Sequence, residues 1–109
     1  MSVERQDVVP EPSSVEDVFA CLGDRQRLHI LYLLLRRPAC VCELVDAMEL
    51  QQPTVSHHLA QMRAAGLVID CREPPDRRWV RYAVNRKALE RLRDAVGLWV
   101  DRAVGIPPE

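Results

Sequence analysis

The apolar positions fall into five stretches at helical spacing and one of partial alternation, each bounded by capping or breaking residues. Val15, Val18, Phe19 and Leu22 recur on one helix face. Ser13 and Ser14 precede them as caps, Glu16 or Asp17 three positions on completes a capping box, and Gly23 closes the helix. Asp24 opens a second helix whose predicted buried stripe is Leu28, Leu31, Leu34 and Leu35. Arg36-Arg37-Pro38 stops it, because the residue before proline avoids helical backbone angles. A short third helix follows over residues 40–48, with Leu44 and Met48 facing inward beside Val41 and Val45.

"ELQQP" is then a tight connection, with Gln52 as cap and Pro53 at the first helical position, where its missing N–H costs nothing. The fourth helix is predicted over residues 53–65 and closed by Gly66 as a left-handed cap. Val55, Leu59 and Met62 form its buried face, which leaves Thr54, Ser56, His57, His58 and Gln61 for the exposed side. Residues 67–73 and 78–84 are rich in β-branched and aromatic side chains and flank the turn Pro74-Pro75-Asp76-Arg77. A lone two-stranded ribbon is marginal, so this hairpin must lean on the helices through Leu67, Ile69, Trp79 and Val80 or Tyr82.

The last helix, over residues 87–104, carries Leu89, Leu92, Val96, Trp99 and Ala103 in a coiled-coil-like seam, with Leu98 and Val100 as further apolar surface. One such chain has too little core for all of these, so a homodimer through the last helix, joined by the first, is expected. The predicted fold class is mostly α with a β-hairpin wing, a dimeric winged helix-turn-helix. Residues 1–12, with Pro10, Pro12 and several acidic groups, read as a disordered tail. Residues 13–105 form the domain and residues 106–109 a second tail.

Composition adds little until it is resolved along the chain. A length of 109 residues suits one domain, and 48% apolar with 28% charged residues is an ordinary soluble balance. No apolar run reaches the length of a membrane span and the N-terminus lacks a signal-peptide pattern, so no membrane partner and a cytoplasmic, reducing location are expected. The net charge of −1 hides an asymmetry: residues 50–93 carry nine basic and four acidic groups, whereas residues 1–49 carry five and nine. A basic middle between acidic ends suits a polyanion-binding surface. All cations but Lys87 are arginine, whose planar fork matches phosphates and guanine edges, although a codon bias would give the same excess. Exposed small polar side chains on the fourth helix would alone be an ordinary solvated face. Preceded by a short helix and followed by a hairpin bearing Arg72, Arg77, Arg78 and Arg81, they read as a DNA-binding helix with a phosphate-contacting wing.

Cys40 and Cys42 are the remaining chemistry. Four cysteines in a reducing compartment are thiols available for metal binding, redox chemistry or burial. Thiolates select soft ions such as As(III), Sb(III), Cd(II) or Zn(II). Residues two apart in a regular helix point about 200° apart. Cys40 and Cys42 can therefore chelate one ion only if Cys40 lies outside the first turn or if binding unwinds that turn. No nucleophile–base pair and no glycine-rich phosphate loop among four glycines points to an enzyme.

The segments "CLGDRQRLHILYLLL", "ACVCELVDAMELQQPTVSHHLAQMRAAGLV" and "RRWVRYAV" resemble the ArsR/SmtB family of metalloregulatory repressors over most of residues 19–84. The resemblance implies a dimer that sits on double-stranded operator DNA near its own promoter and is released by a thiophilic ion. It matches Gln52, Thr54, Ser56, His57 and His58 to the family's recognition helix, and Arg77 and Arg78 to the wing tip. The arsenite-sensing branch has Cys-Val-Cys, matched by Cys40 and Cys42, and a further Cys three residues later, where this chain has Val45. The last helix has no histidine, so the zinc branch's site is absent, and no cysteine precedes Cys21 to supply the cadmium and lead branch's tail ligands.

As(III) or Sb(III) held by Cys40 and Cys42 is thus the expected inducer, with no cofactor needed for folding. A third ligand could come from Cys21, Cys71, a partner subunit or a small thiol. The alternatives are a redox, persulfide or Cd/Zn sensor of the same fold, or a metal-buffering thiol protein that does not bind DNA.

Overall fold

In the computed structural model, residues 12–72 and 80–105 are described. Among them lie five helices and one hairpin: α1 (Val15–Leu22), α2 (Arg25–Arg36), α3 (Val41–Met48), α4 (Gln52–Ala64), β1 (Val68–Arg72), β2 (Val80–Val84) and α5 (Arg86–Gly105). Residues 1–11 of the expected 1–12 tail, the 106–109 tail and the turn with Arg77 and Arg78 fall outside the described residues; Pro12, expected in the tail, is instead buried, with its backbone against Gly66.

The helix starts follow the cap chemistry of the sequence. Ser14 caps α1 by accepting the Asp17 N–H, and Asp24 caps α2 by accepting those of Gln26 and Arg27. Cys40 is the N-cap of α3, so the helix starts at Val41, one residue later than expected. At α4 the cap is Gln51, so Gln52 is the first helical residue rather than the cap. α3 ends on Glu49, which has φ of 57°, a left-handed conformation not expected from its side chain. Gly66 has φ of 77°, in line with its role after α4.

The core gathers Val18, Ile30, Leu31, Leu34, Leu44, Val55, Leu59, Met62, Leu67 and Val68 between α1–α4 and the base of the hairpin. Leu35, expected in the α2 stripe, is instead 53% exposed, and Ile30 takes the interior position. The strands are antiparallel, with Val68 opposite Val84 and Arg72 opposite Val80. Ala39 adds a bridge on the free edge of β2: its N–H donates to Tyr82 O and its carbonyl accepts the Tyr82 N–H. The chain entering α3 is therefore sewn to the wing.

Asn85, fully buried, closes the other end. Its Nδ2 donates to Gly66 O at 2.8 Å and its Oδ1 accepts the Lys87 N–H at 3.1 Å, joining the end of α4 to the start of α5. α5 then leaves the core. Ala88 is buried, but Leu98, Trp99, Val100 and Val104 are exposed, and Trp99 stacks on Phe19 of α1 at 5.6 Å.

Candidate nucleic-acid interface and thiol site

α3 and α4 pack against each other across Leu44, Val55 and Leu59, with the short segment 49–51 between them. On α4 the inward face is Val55, His58, Leu59 and Met62. Gln52, His57 and Gln61 are exposed, and Thr54 and Ser56 are half-buried. Gln61 Nε2 lies 3.4 Å from His57 Nε2, one turn away on the same outer face. Arg63 reaches Asp70 of β1 at 3.5 Å, tying α4 to the wing.

His58 does not share this face. It was expected beside His57 among the outward residues, but it is 8% exposed and points at the start of α2. Its Nε2 lies 2.7 Å from Gln26 Oε1 and its Nδ1 3.3 Å from Arg27 Nη1. The period of a helix explains the correction: His58 follows Val55 by three and precedes Met62 by four, so it sits in the apolar row.

The thiol pair lies at the other end of the helix pair. Cys40 is extended (φ −88°, ψ 169°), so the opposed directions of a helical i, i+2 pair do not arise. The two sulfurs lie 2.7 Å apart, Cys40 half-buried and Cys42 exposed. The neighbouring Cys40 thiol, then burial, raise the Cys42 pKa above the usual thiol value. Glu43 Oε1 accepts the Cys40 N–H at 3.0 Å and the Arg81 guanidinium of β2 at 3.2 Å. The Cys40 amide first, with Arg81 contributing, holds the Glu43 carboxyl below the usual carboxylate range. The Glu43 link was overlooked in the sequence, although Cys40-x-x-Glu43 has the spacing of a capping box.

The other two cysteines are not gathered here. Cys21 is buried at the end of α1, where burial raises its pKa. Cys71 is exposed on β1, its Sγ donating to Arg81 O at 3.5 Å. Among the described residues, which include all four cysteines, no group of three Cys, His, Asp or Glu side chains could hold one ion. The donors present fit a soft ion bound by two sulfurs.

Residues 24–70 match the profile of the bacterial regulatory proteins of the arsR family. An arsenical resistance operon repressor from Staphylococcus aureus is 33% identical over 73 residues, which cover 67% of each chain. This chain belongs to the ArsR family.

ArsR-family proteins are transcriptional regulators rather than enzymes. The arsenic resistance transcriptional regulator ArsR1 of Pseudomonas putida is 44% identical over 85 residues, 77% of this chain. That match spans 58% of the relative's own length, so the chain covers less than two thirds of it. A homodimeric winged helix-turn-helix DNA-binding domain from Mycobacterium bovis superposes with a TM-score of 0.63 at 25% identity, covering 87% of this chain and 85% of that one. The winged helix-turn-helix expected from the sequence is the observed fold. Among the described residues, no helix is long and apolar enough to cross a membrane.

Proposed function

We propose that this ArsR-family chain is a DNA-binding repressor released from its operator when As(III) or Sb(III) is captured by Cys40 and Cys42. The observation that carries the reading is the approach of the two sulfurs to 2.7 Å at the start of the helix that supports α4. Gln52, Thr54, Ser56, His57 and Gln61 would face the major groove, and Arg77 and Arg78 the flanking phosphates. Relatives named as arsenical resistance regulators support the choice of inducer.

The chemistry suits an uncharged arsenous acid. Two thiols condense with As(OH)3 to form two S–As bonds and release two waters, with no net proton set free. Cd(II) or Zn(II) would instead displace both thiol protons, which the raised Cys42 pKa opposes. Capture at Cys40 would act on the reader by two routes, through α3 packed on α4 and through Ala39 and Glu43 bonded to β2. A coupling of about 1–3 kcal/mol would suffice to empty most of the operator.

The test is a mobility-shift titration of DNA upstream of the gene with As(III), Sb(III), Cd(II) and Zn(II). Cys40→Ser and Cys42→Ser should keep DNA binding and lose the As(III) response. Full As(III) response in both variants places the sensor elsewhere; oxidant response without any metalloid response favours redox sensing; absence of DNA binding favours a thiol buffer.

A further inference from the structure

His58 is the one histidine of the pair that the DNA-reading face does not use, and both of its ring nitrogens are engaged. Arginine only donates, so the Nδ1 facing Arg27 Nη1 must accept. The ring proton then sits on Nε2, which donates to Gln26 Oε1 at 2.7 Å. This geometry requires a neutral ring of one tautomer.

Arg27 is itself held in place: its Nε donates to Cys21 O at 2.6 Å, and its backbone N–H donates to Asp24 Oδ1. The Asp24 carboxyl is kept below the usual range first by that N–H, with the charge of Arg27 among the smaller causes. The titratable and charged groups around the ring are thus Arg27 and Asp24 of α2, the Cys21 thiol at the end of α1, and His57 on its own helix, its ring 6.0 Å away. Protonation of Nδ1 would remove the acceptor Arg27 uses and set two cations face to face.

Building on the DNA-binding reading above, we propose that His58 is the positioning residue of the recognition helix: its neutral ring latches α4 to the start of α2 in the DNA-reading orientation, and protonation releases the latch and with it the operator. His57, one residue away, stays on the outer face. A turn of α4 about its axis would move His57, Ser56 and Gln61 together, so one buried contact governs several outer ones.

The test uses the full chain and a labelled duplex of its own upstream DNA, titrated from about pH 8 to about pH 5.5, the span in which histidines change charge. His58→Gln keeps an N–H for Gln26 and an oxygen for Arg27 but cannot charge. Wild type and His57→Gln should each lose about tenfold or more in affinity toward acid, whereas His58→Gln binds like wild type at the alkaline end and stays flat. His58→Ala should bind weakly throughout, and a purely packing role would lower its melting temperature without making the His58→Gln profile flat.

A wild-type acid loss retained in His58→Gln, a flat profile in His57→Gln, or no acid loss in wild type overturns the latch. Nitrogen-15 spectra of the free protein read the tautomer without DNA, and a proton on Nδ1 at neutral pH overturns the latch as well. Wild type that shows the Nε2–H tautomer but binds no upstream duplex at any pH sinks the DNA reading, and this role with it.

Discussion

At the scale of single residues, backbone conformation and proton affinity carry the sharpest consequences. Gly66 has φ of 77°, and a Cβ there would lie 2.5 Å from Pro12 Cα and 2.9 Å from Ser13 N. Gly66→Ala should lower stability by about 1–3 kcal/mol, measured by chemical denaturation, because both the backbone angle and the space favour glycine. The raised Cys42 pKa gives a second expectation. As(III) affinity should change little between about pH 6 and about pH 8, whereas Cd(II) affinity should fall toward acid as protons compete for sulfur. Calorimetry in two buffers of different ionisation enthalpy separates the two ions. The cysteine pair was legible from the residues themselves. The position of Cys40 outside the first turn was not, because a cap is decided by the backbone entering the helix, here fixed by Ala39 on Tyr82.

At the scale of elements, two helix starts depend on ionised carboxylates. Asp24 is held below its ordinary pKa chiefly by the Arg27 N–H, and Glu43 chiefly by the Cys40 N–H. A lowered folded-state pKa means the stabilisation is complete above the unfolded-state values near ~4 and is lost as pH falls through the folded ones. Asp24→Asn with Glu43→Gln should therefore melt lower than wild type at neutral pH and show a shallower fall in melting temperature below about pH 4. Glu43→Gln alone keeps an oxygen for the Cys40 amide but drops the ion pair with Arg81. Its As(III) affinity should match wild type, while As(III)-driven operator release weakens by up to about fivefold, the range of an exposed ion pair. The element order was readable from periodicity and caps, and the helix-turn-helix followed from it. The inward turn of His58 was readable too, from its place in the Val55–Met62 row, yet its polarity suggested the outer face. Only Gln26 and Arg27, distant in sequence, make its burial tolerable.

At the scale of the whole molecule, five of the eight exposed large apolar side chains among the described residues lie on α5. Trp99 is 53% exposed and stacked on Phe19, with Leu98, Val100 and Val104 near it on the helix. This is the surface through which the homodimer expected from the sequence would form, with Phe19 of α1 joining it. Trp99→Glu should shift the protein toward monomer in sedimentation velocity and weaken operator binding by more than about tenfold, since each half-site would then be bound alone.

The sequence by itself determined the number and order of helices, the hairpin, the basic middle and the two neighbouring thiols, because these depend on local spacing, capping and composition. Tertiary structure decided which way His58 faces, how Cys40 meets Cys42, and that Glu43 and Ala39 join the thiol site to the wing. Those outcomes rest on contacts between segments far apart in the chain, and a buried polar group or a sulfur pair takes its chemistry from whatever the fold brings to it.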